Sequence, residues 1–126
     1  MKNIVLIILL AFAALDLNAQ FSRISDAIKN QNVTELSKYF DTQVELTTPE
    51  QDGVYSKAEA ISIMKSFFST YKISSFTLRH QGSSKGKASE YAIGDMTASG
   101  SNFRVFIYLY EKDGQIFIQQ LQFEKE

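Results

Sequence analysis

Phe103-Arg104-Val105-Phe106-Ile107-Tyr108-Leu109-Tyr110 and Ile116-Phe117-Ile118-Gln119-Gln120-Leu121-Gln122-Phe123, either side of Asp113-Gly114, decide how this chain folds. Both octets are rich in aromatic and β-branched residues, which suit the pleated backbone of a strand. Asp-Gly supplies the positive φ angles of a two-residue type I′ turn, so Asn102 to Lys125 reads as one long β-hairpin. Neither strand has a polar face. A ribbon that is apolar on both sides needs cover on both, and the rest of the chain must be read for what supplies it.

Counting back from the turn pairs Tyr110 with Phe117, Tyr108 with Gln119, Phe106 with Leu121 and Arg104 with Phe123, which makes one aromatic face. The other face holds Leu109, Ile107, Val105, Ile118, Gln120 and Gln122. Area favours burying the aromatic face, since each ring removes about 150–250 Å² from water. Local propensity does not choose between the faces.

The sheet continues upstream. Phe76, Leu78 and His80 alternate with Thr77, Arg79 and Gln81, which puts His80 on the apolar side of its strand. A turn at Ser83–Gly86 leads to a second strand over Ala88–Ala98, loosened at Gly94. Ser99–Asn102 then returns the chain into the hairpin, so that Asp95 and Arg104 can face each other as a structural cross-strand pair.

Before Ser74 the period is helical. Phe21, Ile24, Ala27 and Ile28 form one stripe, broken by Asn30-Gln31-Asn32. Asn32 can cap a second helix carrying Val33, Leu36 and Tyr39-Phe40. Val44–Thr47 reads as a short strand stopped by Pro49, and Glu50–Gly53 as a turn into Val54-Tyr55. Ser56 and Glu59 form a capping box that opens a third helix, with Ala60, Ile61, Met64, Phe67, Phe68 and Tyr71 on its apolar face. Helices first and strands afterwards is an α+β pattern, with about three N-terminal helices packed on a mainly antiparallel sheet of four to five strands.

Residues 1–19 read as a secretory signal peptide, and residues 20–126 as a single domain. Lys2 starts the leader, Ile4–Leu15 is its apolar run, and Ala19 is the small residue at the cut. The run of about 12 residues falls well short of the roughly 20 that span a bilayer. The chain is therefore expected to be exported, periplasmic or extracellular, with no membrane span after cleavage. It has no cysteine, which removes disulfides, thiolate chemistry and a lipid anchor on the mature N-terminus. One histidine cannot build a histidine zinc site. Beyond the leader 12 basic residues face 13 acidic ones, without the basic stripe a nucleic acid needs.

Ala27–Asn32, Leu36–Phe40, the strand running to Pro49, Gly53–Ile61 and Asp113–Ile118, in that order, resemble a nuclear transport factor 2-like domain of the cystatin-like cone superfamily. Within that superfamily the chain is similar to small exported bacterial members of unknown function. The resemblance implies a curved, cone-shaped α+β fold, a pocket between sheet and helices, and a homodimer through the open sheet face. It also implies a hairpin register in which Ile116, Ile118, Gln120 and Gln122 point toward the helices. On that reading Gln120, Gln122, His80, Tyr39 and Tyr55 line the pocket, while Phe106, Tyr108, Tyr110, Phe117 and Leu121 form the dimer interface. Isomerase-type members place a carboxylate base just before the proline that ends the first strand. Here that position is Thr48, whose hydroxyl cannot act as the base at neutral pH. Dehydratase-type members use histidine and aspartate pairs, which one histidine does not reproduce. The expected function is a non-enzymatic exported domain binding a small apolar ligand or another envelope protein, with no metal or cofactor. The alternative is a small isomerase, dehydratase or cyclase-type enzyme acting on a hydrophobic substrate in the cone pocket.

Overall fold

The computed structural model describes residues 17–83 and 89–126. The leader expected over residues 1–19 lies outside them except for 17–19, as do residues 84–86 of the expected turn. The described elements run α1 (Leu17–Lys29), α2 (Val33–Ser37), β1 (Phe40–Thr47), β2 (Asp52–Ser56), α3 (Lys57–Thr70), β3 (Ile73–Ser83), β4 (Ser89–Ala98), β5 (Ser101–Lys112) and β6 (Gln115–Lys125).

The strands form one six-stranded sheet in the order β2-β1-β6-β5-β4-β3. This corrects the expected four to five. The added strand is β2, whose five residues look like part of a turn until β1 pairs with them antiparallel. β1 runs parallel to β6, and the other neighbours are antiparallel. Phe40 begins β1 opposite Ile118 instead of closing the second helical stripe.

Local chemistry explains the helix starts. Asn32 Oδ1 accepts from the Glu35 N–H at 3.1 Å, capping α2. Ser56 Oγ accepts from the Glu59 N–H at 3.2 Å, and Glu59 Oε1 accepts from the Ser56 N–H at 3.1 Å, completing the capping box of α3. The bond from the Ser56 N–H foremost, and the Ser56 hydroxyl second, hold the Glu59 carboxyl below the usual glutamate range.

A long-range clamp secures the other end of α3. Gln31 sits at φ 55°, in the left-handed region that a non-glycine residue seldom adopts. Its Nε2 donates to the carbonyls of Phe68 (2.9 Å) and Tyr71 (2.8 Å), and its Oε1 accepts from the Ile73 N–H at 3.3 Å. Carbonyls at the end of α3 that lack helical partners thus find a side chain from the α1–α2 turn.

The core lies between the helices and one face of the sheet. Phe103, Val105, Ile107 and Leu109 of β5 are fully buried there with Ile118, Leu121 and Phe123 of β6. Phe67 of α3 packs its ring 4.7 Å from Phe123 and edge-on to Phe103 at 5.9 Å. Met64, Met96, Ile24, Ile28 and Leu36 fill the remaining space.

The hairpin turn is as read from the sequence, with Asp113 at φ 52° and Gly114 at φ 77°. Tyr110 pairs with Phe117 as expected, and Leu109 with Ile118. The next pair is Tyr108 with Gln120, so Gln119 is the extra residue of a β-bulge. Beyond it every expected pairing shifts: Phe106 meets Gln122 and Arg104 meets Glu124, in place of Leu121 and Phe123. The aliphatic face of β5 does turn toward the helices. Along β6, however, the inward set is Ile116, Ile118, Leu121 and Phe123, and Gln120 and Gln122 face out. The bulge spares the core two carboxamides, whose burial without partners would be costly, and buries two large apolar side chains instead.

Candidate functional site

The face of the sheet away from the helices is the most distinctive surface among the described residues. Register places Tyr91, Tyr108, Gln120, Glu45 and Val54 in one row across five strands. The adjacent row holds Ile93, Phe106, Gln122 and Thr47. Tyr110 and Phe117 extend the aromatic surface toward the turn, with ring centroids 5.9 Å apart, and the Lys112 ammonium lies 5.8 Å from the Phe117 centroid. Tyr91 and Tyr108 are separated by 6.0 Å. These rings are half-buried, whereas Val54 on the edge strand is 63% exposed.

A second irregularity shapes this face. The pairing of β3 with β4 shifts between Leu78 and His80, leaving Arg79 unmatched and setting His80 opposite Ile93. His80 is therefore exposed on the outer face, not on the apolar side of its strand, with Nε2 3.2 Å from the Tyr91 hydroxyl. The Tyr91 ring lies over Gly82, where a Cβ would come within 2.6 Å of it, so a glycine is what lets the ring settle there. Asp95 lies opposite Arg104 in the ladder, as expected, but its ion pair is with Arg79 at 2.9 Å. Both partners are about half exposed, and such pairs contribute little, about 0–1 kcal/mol.

The five expected pocket residues do not converge. Gln120, Gln122 and His80 are on the outer face, while Tyr39 and Tyr55 pack partly buried against the core from α2's end and from β2. Of the expected interface set, Phe106, Tyr108, Tyr110 and Phe117 share the outer face, but Leu121 is fully buried under the helices. The bulge at Gln119 accounts for both corrections on β6. Tyr91, Ile93 and Val54 belong to the outer face and escaped the sequence reading. The signal for two of them was present: Tyr91 and Ile93 alternate with the small residues Ala92 and Gly94, a large-out, small-in pattern.

Thr48, the position of the isomerase base, lines a groove of about 270 Å³ between the β1–β2 connection and α3, with Glu50, Gln51, Ile63, Ser66, Phe67 and Thr70. Its hydroxyl accepts from the Gln51 N–H at 3.2 Å, and its N–H donates to the Gln51 carbonyl at 2.7 Å. Thr48 thereby closes the connecting turn. Glu50 accepts from the Tyr71 hydroxyl at 3.1 Å; burial first, and that bond second, push the phenol of Tyr71 up. Among the described residues no group of three or more acidic or histidine side chains could hold a metal ion. No described helix is long and apolar enough to cross a membrane.

Comparison with known proteins agrees with this geometry. A protein of the DUF4783 family from Bacteroides uniformis is 30% identical, superposes with a TM-score of 0.76, and is matched over 83% of this chain and 95% of its own. A second, from Bacteroides ovatus, is 31% identical with a TM-score of 0.75, over 82% and 93%. A nuclear transport factor 2-like protein of unknown function from Cytophaga hutchinsonii shares the fold at 11% identity, with a TM-score of 0.62 over 90% and 92%. No curated protein matches. The fold is thus the α+β cone read from the sequence, and residues 21–124 match the description "Domain of unknown function (DUF4783)", so the chain belongs to that family.

Proposed function

We propose that this protein is an exported, non-enzymatic docking domain that works through the outer face of its sheet, and that a second copy of the chain occupies that face. One contrast carries the reading. The cone interior is occupied by Met64, Phe67, Phe103 and Phe123, whereas Tyr91, Ile93, Phe106, Tyr108, Tyr110 and Phe117 turn away from it. A small apolar ligand would have to displace packed side chains, while a flat partner meets rings already presented.

Area supports a second copy. Four to five strands at about 4.8 Å spacing, each contributing about eight residues at about 3.3 Å, make a face of roughly 500–600 Å². With Val54 and the polar rim, this approaches the about 800 Å² that each partner contributes to a standard interface. A two-fold axis would lay the same rings against each other, as an isologous contact requires. Export rests on the leader pattern.

Sedimentation of residues 20–126 at tens of micromolar tests the reading. The wild type should sediment as a dimer, and Tyr108→Lys as a monomer with an unchanged far-ultraviolet spectrum. A wild type that stays monomeric removes the dimer.

A further inference from the structure

We propose that Gln20 becomes pyroglutamate once the leader is removed, so that the mature chain starts with a neutral lactam. The proposal rests on the export reading and on cleavage after Ala19. Core packing begins immediately beyond that bond: Phe21 is 2% exposed and Ile24 fully buried, and the family match also opens at residue 21. Gln20 itself is only half-buried, and among the described residues no hydrogen bond holds its carboxamide. The side chain is free to turn on its own backbone nitrogen.

α1 starts at Leu17, so a cut after Ala19 leaves Gln20 as the first residue of a shortened helix anchored through Phe21. Its new α-ammonium would stand at the positive end of the helix dipole, beside amides that have no helical acceptor. Cyclisation removes that charge. The α-amine attacks Cδ of its own side chain, the N–Cδ bond closes a five-membered ring, and the Cδ–Nε2 bond breaks. The amine's proton leaves with Nε2 as ammonia, so no cofactor or redox partner is needed. Having both groups on one residue makes the attack intramolecular, with the high effective molarity this brings. Every other glutamine has its backbone nitrogen in a peptide bond and cannot follow.

The test is the intact mass and N-terminal sequence of the full chain, expressed with its leader in an exporting bacterial host and incubated at neutral pH. The expected product weighs one ammonia less than residues 20–126, is blocked to Edman degradation, and reads from Phe21 after pyroglutamyl peptidase. Full mass with a readable Gln20 overturns the proposal but leaves the cleavage reading intact. A different first residue, or an uncut chain, overturns both. Gln20→Ala should be cut at the same bond and stay open to Edman degradation; an equally blocked variant would show that the block has another source.

Discussion

Tyr108 lies opposite Gln120 although its neighbour Leu109 lies opposite Ile118, so Gln119 has no counterpart on β5. This one unmatched residue lets both strands bury their aliphatic side chains and leaves Phe106, Tyr108 and Tyr110 of β5 on the outer face. It makes a sharp prediction. Leu121→Ala should cost about 2–5 kcal/mol, as buried leucine truncations do. Gln122→Ala should stay within about 0.5 kcal/mol, as surface changes do. Urea unfolding of the two variants decides the register, since an unbulged ladder would exchange their effects.

Deletions along β6 probe the same feature. Removing Gln119 restores a regular ladder and leaves Ile118, Leu121 and Phe123 facing in, so the variant should fold cooperatively. Removing Gln122 turns Phe123 outward and brings Glu124 against Phe67 and Phe103. That variant should lose its cooperative thermal transition, as followed by circular dichroism.

Gln31 joins three backbone groups from α3 and β3. Gln31→Ala leaves the Phe68 and Tyr71 carbonyls short of a donor and should destabilise by about 1–3 kcal/mol. Gln31→Gly should be milder, because glycine adopts the φ of 55° without strain. Amide exchange at Ile73 should speed up in both variants.

The capping box should weaken in acid. Glu59 titrates below the usual glutamate range in the folded chain, through its bonds to Ser56. Its contribution is therefore complete above the unfolded glutamate value and is lost as pH falls through the lowered folded one. Glu59→Gln should flatten the dependence of the melting temperature on pH in that window. Ser56→Ala should remove about 1 kcal/mol at neutral pH.

Gly94 gives room to Phe76, as a Cβ there would stand 2.8 Å from the ring and 3.0 Å from the Thr77 carbonyl. Gly94→Ala should cost about 1–3 kcal/mol by overpacking. A Phe76→Leu change in the same chain should recover part of that loss, measured by thermal unfolding.

What the sequence determined by itself is what short-range chemistry controls. Asp113-Gly114 carried its turn, Asn32 and the Ser56–Glu59 pair marked their helix starts, and the order of periods announced helices on a sheet. Even the bulge left a trace, for Ile116 and Ile118 keep a period of two that resumes at Leu121 and Phe123 only after two adjacent glutamines. Tertiary structure decided the rest. Gln119 and Arg79 go unmatched because ladder regularity competes with burial, and the winner depends on helices distant in sequence. Phe67 demands Phe103 and Phe123 against it, and no property of β6 alone reports that demand. Parity along a strand is all-or-none, so a single bulge moved Gln120 and Gln122 to the surface, Leu121 into the core, and the candidate site from the cone to the outer face of the sheet.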